Sequence, residues 1–162
     1  MVCSASQPAY TFLLIGRFYM ERTLPYITAA LLCENVLEEK NGSLTVVRIV
    51  DRLEFSTEGL PPELNPMVAL KGLVCLKSGP YQGDCNITIK VNRPSGRETE
   101  PMSFPPFKLL GGDQGQNVII NIGLGVDEQG PYWFDVNLNG ELLTRIPLMV
   151  VRVQKPVLEK SL

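Results

Sequence analysis

Apolar and polar residues alternate along much of the chain, in short segments. In residues 84–92 every second side chain is apolar, namely Cys85, Ile87, Ile89 and Val91. Residues 117–124 repeat this pattern, although Ile119 interrupts their polar side. Because side chains of a strand point alternately to its two faces, a period of two predicts strands with one buried and one exposed face, as in antiparallel sheets.

Prolines and glycines separate these segments too often for helices. The chain holds 13 prolines and 14 glycines, and pairs such as Pro105-Pro106 and Gly111-Gly112 fall between the predicted strands. The pattern therefore predicts an all-β fold, a single antiparallel β-sandwich of about seven or eight strands. We expect it to span residues 20–153, with 154–162 as a C-terminal tail.

A hairpin is predicted near the C-terminus, where residues 130–138 and 141–153 flank Asn139-Gly140. A two-residue loop would place polar or proline residues opposite the apolar face of the first strand. We therefore predict a three-residue loop, Leu138-Asn139-Gly140, with Gly140 left-handed. Pro147 indicates an edge or a bulge in the second strand, because proline cannot donate to a sheet ladder.

This register pairs Val136 with Leu142 and places Trp133 opposite Arg145 on the outer face. A guanidinium stacked on an indole contributes about 0.5 to 1 kcal/mol at an exposed site. Trp and Arg are also enriched among interface hot spots, so the pair is a candidate interaction surface. A cross-strand surface pair without a binding role is the alternative.

Residues 43–55 predict a longer strand, in which Asp51 falls among the apolar positions. A buried acid with a raised pKa would be a candidate functional group. The alternative, which we favour, is a bulge or a strand end at Val50-Asp51, where the carboxylate accepts main-chain hydrogen bonds.

Residues 26–39 contain good helix formers, and propensity alone favours a helix there. Three parts of the chain, however, resemble an uncharacterised bacterial family of the domain-of-unknown-function kind. They are YITAALLCENV at 26–36, LTVVRIVD at 44–51, and the hairpin GPYWFDV at 130–136 with GELLTRIPL at 140–148. The resemblance covers residue 20 to about 153. It implies a strand at 26–36 and a compact β-sandwich, and it supplies no catalytic residues.

Composition narrows the possible chemistry. The chain of 162 residues has 44% hydrophobic and 20% charged residues, a net charge of −2, and no histidine. The charge argues against binding nucleic acid through bulk electrostatics. The absence of histidine excludes Ser-His and Cys-His catalysis and histidine-bearing zinc sites. We expect no cofactor and no enzymatic activity.

The cysteines and the N-terminus favour a cytoplasmic location. Cys3, Cys33, Cys75 and Cys85 form no Cys-x-x-Cys pair, and we interpret them as reduced, mostly buried thiols. The apolar patch at 10–15 lacks the flanks of a secretion signal, and no segment is long enough to span a membrane. Residues 1–19 are interpreted as a disordered tail or as the product of an over-early start before Met20.

Acidic residues near turns offer an alternative function. A hydrolase could use two carboxylates that folding brings together, and loop acids at one end of a sandwich could bind Ca²⁺. The acids concerned are Asp84, Asp113, Asp127, Glu128 and Asp135. Their spacing matches no metal motif, and acids also serve turn geometry.

Two proline-rich loops carry apolar residues that could bind a partner. They are Leu60 and Leu64 in residues 59–66, and Met102, Phe104 and Phe107 in residues 102–110. The same side chains could instead cover the ends of the core. The sequence thus predicts a non-catalytic binding or scaffold module, acting through surface loops or a sheet face. We expect a protein partner rather than nucleic acid or a membrane, with self-association at a sheet edge as a further alternative.

Overall fold

The computed structural model describes residues 24–56 and 65–153, and every regular element in these ranges is a strand. The prediction of an all-β fold is confirmed, but the described residues form nine strands rather than seven or eight. The predicted tails, residues 1–19 and 154–162, lie outside the described residues. The strands are β1 Tyr26–Glu38, β2 Leu44–Ile49, β3 Arg52–Phe55, β4 Met67–Cys85, β5 Ile87–Asn92, β6 Met102–Ser103, β7 Phe107–Gly125, β8 Gly130–Leu138 and β9 Glu141–Arg152.

The strands form two sheets. The first sheet has the order β2-β1-β4-β7 and is antiparallel throughout. The second sheet has the order β3-β9-β8-β5-β6, in which β3 pairs with β9 in parallel, from Arg52 opposite Met149 to Phe55 opposite Arg152. The prediction of a purely antiparallel arrangement is therefore wrong at this pair. Pro147 pairs with Trp133 of β8 but lies before the part of β9 that pairs with β3, so its other side is a local edge, as predicted.

Asp51 lies where the chain leaves the first sheet and enters the second. The buried Val50 donates its N–H to the Leu32 oxygen of β1 at 2.8 Å, and the main-chain oxygen of Asp51 accepts from Met149 of β9 at 2.8 Å. The Asp51 side chain is exposed. The predicted strand end is confirmed, and the prediction of a buried acid is wrong because the side chain is exposed. The bond to Met149 is accepted by the main-chain oxygen of Asp51, not by its carboxylate.

One apolar core is shared by the two sheets. Leu32, Val74 and Val118 enter it from the first sheet, and Ile89 and Phe134 enter it from the second. Packing is tight at Gly72 of β4, where a Cβ atom would lie 3.2 Å from Cδ1 of Ile122 on the neighbouring strand β7 and 3.8 Å from Cδ1 of Ile89 on the facing sheet. Glycine fits this position because it has no side chain to place there.

β1 is a strand although its sequence favours a helix. It pairs with β2 along one edge and with β4 along the other, so both sets of its main-chain groups are used. Tertiary pairing overrides local propensity in such a position. The strand implied by the family resemblance is confirmed.

A second apolar cluster lies on the face of the first sheet that points away from the shared core. Its buried members are Cys33, Val36 and Leu73, and partly buried side chains pack against them, namely Leu31, Leu44, Val46, Cys75 and Ile119. Ile119 interrupts the polar side of its strand because it belongs to this cluster.

The alternation of β1 shifts by one residue within this cluster, since Cys33 and Val36 both join it. At the facing position on β2, Arg48 has a φ of 49°, which is uncommon for a residue with a side chain. Its Nη1 atom donates to Oε1 of Glu34 at 2.7 Å. The left-handed Arg48 lies beside the place where the alternation of apolar side chains on β1 changes from one face of the sheet to the other.

Candidate binding face on the second sheet

The β8–β9 hairpin closes with two residues, not three. Asn139 and Gly140 have φ values of 52° and 86°, and Leu138 pairs with Glu141. Two consecutive left-handed residues are typical of the tight turn that Asn-Gly favours, because its twist matches that of the flanking strands. The predicted three-residue loop is therefore wrong.

A bulge then changes the register. Asn137 pairs with Leu142 but Val136 pairs with Thr144, so Leu143 is an extra residue on β9. Such a residue shifts every later pair by one position. Beyond the bulge, the apolar side of β9 therefore lies beside the apolar side of β8. Phe134, for example, lies opposite Ile146, and both are buried.

The shift also changes the partner of Arg145. Arg145 lies opposite Asp135, and Trp133 lies opposite Pro147, so the predicted stacking pair of Trp133 and Arg145 is wrong. The guanidinium contacts the carboxylate through two atoms, with Nε 2.9 Å from Oδ1 and Nη2 3.2 Å from Oδ2. A two-point contact of this kind fixes the arginine in one orientation.

Four exposed apolar residues are adjacent on the outer side of this hairpin. Trp133 lies opposite Pro147, and two residues further along Pro131 lies opposite Met149. All four are exposed, Trp133 by 41% and Met149 by 42%. We call these residues, Pro131, Trp133, Pro147 and Met149, the Trp133 face. An exposed apolar group of this kind is typical of an interaction site.

The side of the hairpin opposite the Trp133 face is packed in the shared core. The alternate residues of the same hairpin fill the shared core and are almost completely buried, namely Tyr132, Phe134, Ile146 and Leu148. The Tyr132 hydroxyl accepts from the Glu128 N–H at 3.3 Å and donates to the Glu128 oxygen at 3.1 Å. Since the buried side is fully packed, the exposed side is presented on a rigid support.

Paired charges border the Trp133 face at two ends. The Arg145–Asp135 pair follows Trp133 and Pro147 along the hairpin. At the other end Arg52 of β3 pairs with Met149, and its Nε atom lies 3.1 Å from Oε1 of Glu54. An apolar centre with a charged rim is the usual anatomy of a protein interface.

The sequence pointed to Trp133 but missed Pro131, Pro147 and Met149. Pro131 shares the outward position of Trp133 two residues away, and this signal was present in the alternation. The positions of Pro147 and Met149 depend on the bulge at Leu143, because they meet β8 only in the shifted register.

The three candidate binding residues of segment 102–110 face the core rather than a partner. Met102, Phe104 and Phe107 are partly buried and pack against the shared core. The two phenylalanine rings meet edge to face with centroids 6.1 Å apart. These contacts support the alternative that the loop covers the end of the core. Leu60 and Leu64 lie outside the described residues.

Two of the turn acids form ion pairs that join neighbouring turns. Asp127 contacts Arg93 and Arg97, and Glu128 contacts Arg97 and accepts from the main-chain nitrogen and hydroxyl of Ser95 at 2.8 and 2.9 Å. The hydrogen bond from Arg97 is the main cause that lowers the pKa of Glu128, and the same bond raises the pKa of Arg97. Asp127 and Glu128 thus tie the turn after β5 to the turn before β8.

The described residues contain no group of three or more Cys, Asp or Glu side chains placed to hold a metal ion. Cys33, Cys75 and Cys85 are free thiols, and burial raises the pKa of each. A raised pKa keeps a thiol protonated and unreactive, in agreement with the predicted reduced state. Within the described ranges, no helix has the length and apolar character needed to cross a membrane.

The chain belongs to a family whose function is not known. The model of the family of unknown function DUF6941 matches residues 28–151, which include most of both sheets and the Trp133 face. The family resemblance found in the sequence is thereby confirmed. No curated protein matches the sequence.

Parts of several solved structures align with this chain at low sequence identity. An alkylpurine DNA glycosylase from Pseudomonas fluorescens aligns with 62% of this chain at 13% identity and a TM-score of 0.43, and the match spans 27% of the glycosylase. A CARDB domain from Pyrococcus furiosus aligns with 78% of this chain and 89% of its own, at 9% identity and a TM-score of 0.37. An immunoglobulin-like protein from Pseudomonas aeruginosa aligns with 81% of this chain and 99% of its own, at 13% identity and a TM-score of 0.35.

Proposed function

We propose that this chain is a non-catalytic protein-binding module, a β-sandwich scaffold that presents the Trp133 face to a partner protein. The observation that carries the proposal is the side-by-side placement of four exposed apolar residues on a packed hairpin. Tryptophan contributes a large contact area with few rotatable bonds, so little conformational entropy is lost when it is buried.

The charges around the Trp133 face favour a protein partner over nucleic acid. Arg145 is paired with Asp135 and Arg52 with Glu54, so the arginines of the rim are locally balanced. A nucleic-acid site would instead need unbalanced positive charge for the phosphates. The net charge of −2 is in keeping with this choice.

A non-catalytic role is supported by the use that the fold makes of its acids. Asp127, Glu128 and Asp135 are all bound to arginine side chains, which favours a structural role for them. We also propose a cytoplasmic location, which the three free thiols support because disulfides are typical of oxidising compartments.

The test compares capture of partners from the native host by three purified chains: wild type, Trp133→Ala and Leu110→Ala. Leu110 is a matched control, because it is another exposed large apolar residue and lies on the first sheet. A protein captured by wild type and Leu110→Ala but lost with Trp133→Ala is then purified, and its affinity is measured with each chain. Loss of a hot-spot tryptophan weakens binding by about thirtyfold or more.

Two results would contradict the proposal. One is a purified partner that binds Trp133→Ala as tightly as wild type. The other is a turnover of small substrates by the wild-type chain that is abolished when a carboxylate is replaced, since this would show an enzyme.

A further inference from the structure

In residues 24–56 and 65–153 the two sheets end in four edge strands, and one of them differs from the rest. β6 has two residues, β3 has four, and β2 has six. β7 has 19 residues and pairs with β4 alone among the described strands. Its other edge therefore carries a long row of main-chain donors and acceptors.

The other edge strands carry features that discourage pairing. β3 has Arg52 and Glu54, and β2 has Arg48 in a left-handed conformation. Charges and backbone irregularities of this kind protect natural sheet edges from adding another strand. From residue 114 to residue 125, β7 has neither a charged residue nor a proline. This half of the edge lacks such protection.

The sequence of this half is complementary to itself in the antiparallel direction. Turned about Asn121, the strand places Ile120 against Ile122 of a second copy, Val118 against Leu124, and Asn121 against Asn121. The four apolar residues of these pairs are buried and point into the shared core, so the apolar face of one copy would continue into that of the other. Asn121 is exposed, and two facing amides can donate to and accept from each other.

We propose that β7 binds β7 of a second copy of this chain, antiparallel and about a two-fold axis near Asn121. The pairing joins the first sheets of two copies into one continuous sheet. Such an interface uses the same patch on both copies, which is the usual symmetry of a homodimer. It is separate from the Trp133 face, which lies on the second sheet.

The first test measures mass by analytical ultracentrifugation over about two decades of protein concentration, since the dimer fraction follows mass action. We expect wild type to approach twice its 18.0 kDa. Asn121→Lys places two like charges opposite each other in the dimer, so we expect its dissociation constant to rise about tenfold or more. Thr45→Lys makes the same change in charge at an exposed position on β2, the opposite edge of that sheet, and should dimerise like wild type.

The second test does not depend on the stability of a lysine variant. Two residues on the axis face each other with Cβ atoms about 4.5 to 5.5 Å apart, close enough for a disulfide after a small adjustment. We therefore expect Asn121→Cys to form a covalent dimer on mild oxidation, with Thr45→Cys and wild type as controls for the native thiols. A wild-type chain that stays monomeric throughout overturns the proposal. The proposal is also overturned if wild type dimerises but Asn121→Lys does not raise the dissociation constant and Asn121→Cys forms no disulfide-linked dimer.

Discussion

The side-chain amide of Asn139 donates to the main-chain oxygen of Asp84 at 2.9 Å, which ties the tip of the β8–β9 hairpin to the end of β4. The same side chain accepts from the Asn86 N–H at 2.9 Å and donates to the Tyr81 hydroxyl at 3.3 Å. One turn residue thus links the last hairpin to the long strand that precedes β5. Its main chain is left-handed, with a φ of 52°.

Replacing Asn139 should reveal two separable contributions. Asn139→Gly keeps the left-handed turn and loses the side-chain bonds, at a cost of about 1 kcal/mol because water can replace part of them. Asn139→Ala adds about 1 kcal/mol more, since alanine is strained at positive φ. Urea unfolding measures both, with Asn41→Ala as a turn control that loses one hydrogen bond. Equal stability of the glycine and alanine variants would argue against this account.

Removing Arg145 should destabilise the fold more than removing a surface arginine. Asp135 is 14% exposed, so Arg145→Met leaves a largely buried carboxylate without its partner, at a cost of about 1 to 2 kcal/mol. Arg48 pairs with a well-exposed Glu34, and Arg48→Met should cost less than about 0.5 kcal/mol in pairing energy. Urea unfolding at neutral pH compares the two variants, and the reverse order would contradict the assignment.

The Glu128–Arg97 contact should make stability fall in acid. The pKa of the Glu128 carboxyl group in the folded protein lies below the ordinary 4.5, chiefly because of the hydrogen bond from Arg97. A carboxylate of this kind stabilises the fold above the pKa of the unfolded chain, and the contribution is lost as pH falls through the folded pKa. Between about pH 5 and pH 3, the thermal midpoint of Glu128→Gln should therefore depend less steeply on pH than that of wild type. Glu54→Gln serves as a control in an exposed surface pair, and an unchanged slope in Glu128→Gln would contradict the prediction.

The tightly packed position of Gly72 should tolerate a methyl group but not a branched side chain. Gly72→Ala requires only that the end of Ile122 move by a few tenths of an ångström, and alanine also reduces the entropy of the unfolded chain. We expect it to change stability by less than about 1 kcal/mol, whereas Gly72→Val overpacks the core by about 1 to 3 kcal/mol. Calorimetric unfolding of the two variants tests the order. A valine variant as stable as wild type would contradict tight packing around Gly72.

Trp133 and its neighbour Phe134 should separate binding from folding. Phe134 is completely buried, and Phe134→Ala should cost about 3 to 5 kcal/mol. Trp133→Ala, on the exposed side of the same strand, should cost less than about 1 kcal/mol. Chemical unfolding of both variants provides the comparison. A large loss with Trp133→Ala would assign that residue to the core instead of the Trp133 face.

The strands could be predicted where alternation is strict. Residues 117–124 lie in β7, and their apolar side is buried as expected. The strand predicted at 84–92 is divided instead: Asp84 and Cys85 end β4 in the first sheet, and β5 begins at Ile87 in the second. β1 could not be predicted from its own residues, because helix propensity is local while the pairing of β1 with two other strands is not. The family resemblance supplied what propensity lacked.

The register of the β8–β9 hairpin lay beyond the sequence for a different reason. Asn139-Gly140 identifies the turn, but nothing in Leu142, Leu143 or Thr144 marks which residue is the extra one. Only the packing of Phe134 and Ile146 in the core decides it. The candidate site could therefore be predicted in part: its tryptophan was found, while the neighbours that make it a surface were not.

The crossing at Asp51 has a consequence for the order in which the chain folds. β3 is made early, yet its only strand partner is β9, the last strand in the described part of the chain. While the chain emerges from the ribosome, β1 and β2 can pair at once, but β3 must wait until nearly the whole domain has been synthesised. Closure of that edge is then a late event with a long loop to close, and we expect nascent chains truncated before β9 to remain vulnerable to proteases at β3.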